Sequence, residues 1–242
     1  MYLQSVRKVL NHLESTQTES IHRAGGIVAQ SLANGGIAYC YEIGHANQHD
    51  FINRAGGLAA VQPFTFSFSV TDPTPACYKD RPGGRELARD IESVRLAVLT
   101  SNLRSGDVML LGSVSGKNRV PVELAKTCQE IDVKVIAFTS LTYTAMVESL
   151  HPSGKRLFEV ADCVIDHGAP YGDASVAIDG LEVDALPVSG VGAIVAGWMV
   201  WESAIEQMVA LGKPPTVFQS FNRDGGPDFY QKMKEQYEAR GY

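Results

Sequence analysis

Apolar residues along this chain alternate between short continuous runs and longer stretches with helical spacing. Residues 37–43, 107–113 and 133–140 are such short runs, ended by Gly, Ser or polar residues. Continuous apolar runs of this length are typical of strands buried on both faces of a parallel sheet. Apolar residues three or four apart predict helices over 2–32, 85–103, 120–131 and 189–212, and a polar terminal helix is predicted over 227–240.

Two shorter stretches complete the predicted sheet. Residues 61–70 alternate, with Phe64, Phe66, Phe68 and Val70 on one face, which predicts a strand, and another short strand is predicted near Cys163. Gly25-Gly26 predicts an interruption of the first helical stretch, and Asn34-Gly35-Gly36 predicts its end.

The order of these elements predicts one α/β domain over 1–242. We expect a doubly wound three-layer α/β/α sandwich around a mostly parallel five-stranded sheet, with residues 1–35 as an N-terminal helical extension.

Charge and apolar content narrow the classes of partner. The net charge is −6 and the chain has no block of Lys and Arg, which argues against a nucleic-acid partner. The longest apolar run, 191–201, is shorter than the roughly 20 residues that cross a bilayer, so we expect no membrane partner. The four cysteines form no CxxC pair, which favours reduced structural thiols and a cytoplasmic protein.

The stretch LLGSVSGKNRVPVELA, residues 110–125, is the strongest candidate for a binding site. Ligands of such sheets bind at the carboxyl ends of the strands, and a helix that begins there attracts anions. Ser113, Ser115, Lys117 and Asn118 offer donors, and Gly116 lets the backbone approach a ligand. The spacing fits neither a nucleotide P-loop nor a GxGxxG dinucleotide loop, so local chemistry leaves an anion site or an ordinary polar turn.

Residues 106–140 resemble the core of the SIS (sugar isomerase) family. The shared pattern is a strand after Gly-Asp, then Ser-x-Ser-Gly, a helix with a carboxylate and a strand that ends in Thr or Ser. RAGGL at 54–58, ADCVIDHGAPYGDA at 161–174 and PPTVFQSFNRDGG at 214–226 resemble an uncharacterised, phosphosugar-isomerase-like branch, and the likeness spans 1–242.

This resemblance implies a flavodoxin-like fold and a site for a small phosphorylated, or otherwise anionic, sugar. Ser113, Ser115 and neighbouring amides would hold the phosphate, and Glu123 falls at the usual helix carboxylate. The family's Gly-rich first loop, with a Ser that touches the ligand, corresponds to IGHANQHD at 43–50, where Gly44 and Asn47 are the binding candidates. The resemblance also implies a homodimer or homotetramer.

Isomerisation needs a base that moves a proton between neighbouring carbons. His45 and His49 lie on the first loop, and a histidine titrates near about pH 6.5, which suits that role. Glu86 is a third candidate, either as a base or as a carboxylate favoured at the start of a helix. His45 and His49 with Asp50 could instead bind a metal, but no metal-binding signature supports this, and we predict no metal or cofactor.

The loop HGAPYGDA, with His167, Tyr171 and Asp173, is predicted either to line the ligand or to form a structural turn. The function predicted overall is aldose–ketose isomerisation of an anionic sugar. A non-catalytic sugar-phosphate-binding or regulatory protein, and an amino-sugar phosphate deaminase or lyase, are the alternatives.

Overall fold

A computed structural model describes residues 1–43, 48–80, 82 and 88–242. Its centre is a five-stranded sheet in which every pair of neighbouring strands is parallel, in the order β2-β1-β3-β4-β5. The strands are β1 (Ala38–Ile43), β2 (Val61–Pro63), β3 (Val108–Gly112), β4 (Lys134–Thr139) and β5 (Cys163–Asp166). A separate antiparallel pair, β6 (Ala174–Val176) and β7 (Ala185–Pro187), was not predicted.

Helices cover both faces of the sheet, which confirms the predicted three-layer sandwich. Within β3, Val108 and Leu110 pack in the core formed with α1, α2 and α6, whereas Met109 and Leu111 pack against α3 and α4. The helices are α1 (Tyr2–Thr16), α2 (Thr18–Ala33), α3 (Arg89–Thr100), α4 (Arg119–Glu130), the single turn α5 (Leu141–Thr144), α6 (Ser189–Ala210) and α7 (Gly226–Arg240).

The N-terminal helical segment divides at a different place from the one predicted. The break falls at Gln17, while Gly25 and Gly26 lie inside α2. A Cβ atom on Gly25 would lie 2.9 Å from the backbone nitrogen of Ala204 in α6. These glycines therefore allow two helices to approach closely instead of ending one, and α2 forms part of a core layer.

The predicted strand at 61–70 is mostly wrong. Pairing with β1 stops at Pro63, and Phe68 and Val70 are 61% and 63% exposed. Proline has no N–H to donate to a ladder, and the register of β1 against β3 shifts beyond Cys40. The chain therefore leaves the sheet here as an extended segment.

Other predicted elements agree to within a few residues. The helix predicted from residue 85 begins at Arg89 in the structure, and residues 83–87 lie outside the described part. All four cysteines are free, with Cys77 exposed and the other three buried. Across the described residues, no helix has the length and apolar character needed to cross a membrane.

Candidate functional site

The topology opens a crevice between β1 and β3. The chain leaves β1 toward β2 on one side of the sheet and leaves β3 toward β4 on the other, so the loops after these two strands diverge. In doubly wound sheets ligands bind at this point. A cavity of about 740 Å³ lies there, with walls from the end of β1, the loop after β3, the starts of α3 and α4, and residues 143, 150, 172 and 173.

The turn between β3 and α4, residues 113–118, is here called the serine loop, and backbone hydrogen bonds hold it. The Ser113 N–H donates to Phe138 O at 3.0 Å, and the Gly116 N–H donates to Ser113 O at 3.0 Å. The Leu157 N–H donates to Gly116 O at 2.8 Å, and Thr139 Oγ1 donates to Ser113 O at 2.7 Å. The loop is therefore fixed before any ligand arrives.

The serine loop keeps polar groups open to the cavity. Ser113, Ser115 and Asn118 line the cavity wall, and among the described residues neither serine Oγ makes a hydrogen bond. Asn118 is the N-cap residue of α4, yet its side chain caps no N–H in this part of the structure. The first-turn amides of α4 have no intrahelical acceptors, as at any helix start, and the Asn118 side chain does not replace them, so they and the positive end of the helix dipole lie open at this wall.

The other two predicted residues of this loop lie behind the wall. Gly116 is buried with φ +64°, a left-handed conformation that favours glycine. Lys117 is partly buried, and its carbonyl accepts the Leu150 N–H at 3.0 Å. Neither residue is part of the cavity lining, so their predicted contact with a ligand stays a prediction.

Three of the residues predicted on the first loop, Gly44, His45 and Asn47, lie outside the described residues, and so does Glu86 at the predicted helix start. His49 lies in the short 3-10 turn Gln48–Asp50, with an exposed side chain, and is not part of the cavity lining. Its predicted catalytic role therefore has no support from the cavity geometry.

Sequence reasoning missed two residues at the end of β1, Tyr41 and Glu42, which line the cavity. Burial raises the pKa of the Tyr41 phenol, and the charge of Glu42 raises it further, so Tyr41 stays a neutral donor. Glu42 is exposed, and its carboxylate makes no hydrogen bond or ion pair with other described residues. Their position at the carboxyl end of a predicted strand was the available signal.

Two further missed residues, Asp90 and Arg119, line the cavity from the first turns of α3 and α4. The Nε atom of Arg119 lies 2.9 Å from Oδ2 of Asp90. Nothing in either local sequence marks this pair, because it forms between two helices.

The opposite wall comes from α5 and the HGAPYGDA loop. The rings of Tyr143 and Tyr171 meet edge to face with centroids 4.9 Å apart. Asp173 lines the cavity, but its carboxylate also accepts the N–H groups of Val188 and Ser189 at 3.1 and 2.8 Å. It therefore holds the start of α6 and is both a structural turn and a cavity wall. His167 is buried away from the wall, and burial lowers its pKa to about 4.

Glu123, at the position of the family's usual helix carboxylate, is not part of the cavity lining. It is buried, and its Oε2 lies 2.7 Å from His151 Nε2 while its Oε1 accepts from Arg95 at 3.2 Å. The Ser153 N–H donates to His151 Nδ1, so a neutral His151 carries its proton on Nε2 and donates it to Glu123. Burial tends to raise the pKa of Glu123, but the hydrogen bonds from His151 and Arg95 outweigh it, and the pKa is lowered.

His45, His49 and Asp50 are the residues that the sequence offers as alternative metal ligands. Within residues 1–43, 48–80, 82 and 88–242, no cluster of three His, Cys, Asp or Glu side chains could hold a metal ion. His45 lies outside this part of the chain.

The parallel sheet in the order 2-1-3-4-5, with helices on both faces and a polar cavity between β1 and β3, defines a flavodoxin-like ligand-binding α/β protein. The family model of the SIS domain matches residues 1–140, and the chain belongs to the SIS domain family. A UPF0309 protein of Halalkalibacterium halodurans is 33% identical over 240 residues, which cover 98% of this chain and 96% of that protein.

Solved structures share the fold at low sequence identity. Phosphoheptose isomerase GmhA from Neisseria gonorrhoeae has a TM-score of 0.51 and 18% identity, covering 82% of this chain and 92% of that one. The sugar isomerase domain of an RpiR transcription factor from Sphaerobacter thermophilus has a TM-score of 0.50 and 16% identity, covering 98% of this chain and 96% of that one.

Proposed function

We propose that this protein binds a small sugar phosphate in the cavity between β1 and β3 and interconverts its aldose and ketose forms. The observation that carries the proposal is the serine loop. It presents two hydroxyls without partners in the described structure, beside the uncapped start of α4, on the wall of a cavity of about 740 Å³. Such a wall is suited to an anion, and the volume suits a small ligand. Membership of the SIS domain family, and a fold shared with a phosphoheptose isomerase, support it.

A phosphate held by Ser113 and Ser115 leaves the sugar carbons free to extend toward the end of β1. Glu42 lies there with an open carboxylate, beside the protonated hydroxyl of Tyr41. In the proposed reaction, a base takes the proton from the carbon next to the carbonyl and returns it to the former carbonyl carbon, while a hydroxyl proton moves between the two oxygens. Glu42 joins His45, His49 and Glu86 as a candidate base, and Tyr41 would donate a hydrogen bond to the substrate oxygen.

A second candidate function is sugar-phosphate sensing without turnover. The specific observation in its favour is that the domain of the RpiR transcription factor covers 98% of this chain, against 82% for the phosphoheptose isomerase. In this alternative the same site binds the sugar phosphate, but no residue acts as a base and no isomerisation occurs.

The predicted homodimer or homotetramer, and the cytoplasmic location, also stay proposals. Support for self-association comes from a partly exposed apolar stripe on α6 that includes Ile194, Val195, Trp198 and Met199. Light scattering of the purified protein measures the subunit number, and a monomer at all concentrations would contradict the proposal.

Binding is tested by thermal unfolding with a panel of aldose and ketose phosphates. A ligand specific for the folded state adds about 2.7 kcal/mol of stability at a hundred times its Kd, which raises the Tm. Ser115→Ala should lose this shift. Ser15→Ala is the matched control, because Ser15 is exposed on α1 and, among the described residues, its hydroxyl bonds only to the Asn11 carbonyl of its own helix. If no sugar phosphate shifts the wild type, or if Ser115→Ala keeps the full shift, the proposed site is wrong.

Turnover is tested with the ligand found in that screen, incubated in D₂O and followed by NMR. An isomerase exchanges the carbon-bound proton that it moves and produces the other sugar form, and Glu42→Gln should slow this while it leaves the thermal shift in place. A sensor gives the shift with neither exchange nor product. Release of ammonia from an amino-sugar phosphate would indicate a deaminase instead.

A further inference from the structure

In the described structure, arginine–carboxylate contacts connect α3 and α4 at two places, and the contacts differ in geometry. At the end away from the cavity, Arg95 donates two parallel hydrogen bonds to Glu130, at 2.9 and 3.0 Å, and a third to Glu123 at 3.2 Å. At the cavity end, Arg119 Nε lies 2.9 Å from Asp90 Oδ2. The Arg95–Glu130 contact is bidentate, which is the strong arrangement for arginine and a carboxylate.

The Arg119–Asp90 pair is close but poorly aligned. Arg119 Nε is buried and makes no hydrogen bond within the described residues, although Asp90 is within ion-pair distance. The other guanidinium nitrogens of Arg119 likewise have no hydrogen bond to a described residue. The two side chains are 35% and 40% exposed, so water and ligands reach them. Asp90 therefore neutralises the charge of Arg119 but leaves the guanidinium N–H groups available to donate hydrogen bonds to a ligand.

The position of this pair places it beside the serine loop. Arg119 is the first residue of α4, and it follows Asn118 of the serine loop directly. Both Arg119 and Asp90 line the cavity. The planar guanidinium matches two oxygens of a phosphate at once, whereas Asp90 in its present orientation offers one contact.

We propose that Asp90 occupies Arg119 in place of the ligand's anion while the cavity is empty, and that Arg119 exchanges Asp90 for the phosphate when the ligand binds. This inference rests on the proposed sugar-phosphate site. It makes Arg119 a contact residue for the phosphate and Asp90 the residue that competes with the ligand for Arg119. A dianionic phosphate with three terminal oxygens displaces the aspartate, whereas a sugar acid offers only another carboxylate and gains little over Asp90. Arg119 therefore favours sugar phosphates over sugar acids, and competition from Asp90 lowers the affinity for both.

The experiment is a double-mutant cycle by titration calorimetry with glucose 6-phosphate and inorganic phosphate, and with gluconate as the carboxylate probe. Asp90→Asn removes the competing anion, and the Kd for both phosphates should fall roughly two- to fivefold, as expected from loss of an exposed ion pair. Arg119→Gln should raise the Kd about tenfold or more, the effect of a lost hydrogen bond to a charged group. In the double variant the Kd should equal that of Arg119→Gln alone.

Gluconate reports on selectivity. It should bind the wild type weakly, and it should gain no more from Asp90→Asn than the phosphates gain, because the ion pair that each ligand no longer has to break is the same. Asp132→Asn is the matched control, because Asp132 is exposed between α4 and β4, at the amino end of the sheet and away from the cavity. It removes one negative charge and should leave every Kd unchanged. Urea unfolding of each variant establishes that it is folded.

Three results would overturn the exchange. A higher Kd in Asp90→Asn would mean that Asp90 contacts the ligand itself. Equal tightening by Asp90→Asn with and without Arg119 would mean general charge repulsion. No change in Asp90→Asn would mean that the pair does not compete. In each case the serine-loop site still stands if Ser115→Ala abolishes binding. If the wild type binds neither these probes nor any sugar phosphate of the panel, the proposed function fails as well.

Discussion

Gly116→Ala tests whether the serine loop is as rigid as its contacts indicate. Gly116 has φ +64°, and a Cβ atom there would lie 3.0 Å from Thr144 Oγ1 and 3.2 Å from Thr139 Oγ1. Both threonines are buried, and Thr139 is held by its hydrogen bond to Ser113 O. The left-handed conformation costs an alanine about 1–2 kcal/mol. Crowding in a packed region adds about 1–3 kcal/mol, so the expected loss is about 2–5 kcal/mol.

The assay is urea unfolding beside a matched control, Gly212→Ala. Gly212 has φ +71° after the end of α6, and a Cβ atom there meets nothing within 4 Å. The control carries the cost of the conformation without the crowding, so it should lose about 1–2 kcal/mol. Gly116→Ala should also weaken sugar-phosphate binding, which Gly212→Ala should not. Equal losses of stability in the two variants, with binding intact in both, would show that the loop yields easily and would refute this reasoning.

Two further predictions concern buried polar groups outside the cavity. Glu123→Gln leaves Arg95 and His151 without their shared carboxylate, and it should lower the free energy of unfolding in urea by about 3 kcal/mol at pH 7. Because the pKa of Glu123 is lowered in the folded protein, the stabilisation by its carboxylate is lost as pH falls through that pKa. The difference in stability between the variant and the wild type should therefore shrink in acid. His167 is kept neutral by burial, with its pKa lowered to about 4. The unfolded chain protonates the His167 ring near about pH 6.5, whereas the folded chain does not until about pH 4, so the free energy of unfolding should fall by about 3 kcal/mol as pH decreases between these values. His167→Asn should flatten this part of the curve of stability against pH. An unchanged curve in the variant would assign the loss to other groups.

The sequence predicted those parts of the fold that depend on local pattern. β3 and β4 are continuous apolar runs, and such runs specify burial on both faces whichever helices cover them. Gly25-Gly26 was misread because a helix break and a close helix contact use the same residue, and only the position of α6 distinguishes them. The stretch 64–70 was misread because alternation marks a strand only where a partner edge continues beside it.

The residues of the candidate site were likewise predicted only where a local sequence pattern places them. Ser113 and Ser115 follow directly from a strand–turn–helix pattern, since the carboxyl end of a parallel strand and the start of the next helix are fixed by chain order. Asp90 and Arg119 meet only because α3 and α4 pack side by side in one register, which no short pattern encodes.

The two ends of the α3–α4 pair differ in a way that bears on function. Away from the cavity, Arg95 connects Glu130 and the buried Glu123, which in turn is hydrogen-bonded to His151, so this end is fixed by several aligned bonds. At the cavity, the described residues join the helices through one misaligned ion pair, Arg119–Asp90. Ligand sites draw on the less stable parts of a structure, where rearrangement costs little. Rearrangement at Arg119 therefore needs only a change of partner at one end, while the helix that carries it, and with it the serine loop, stays in place.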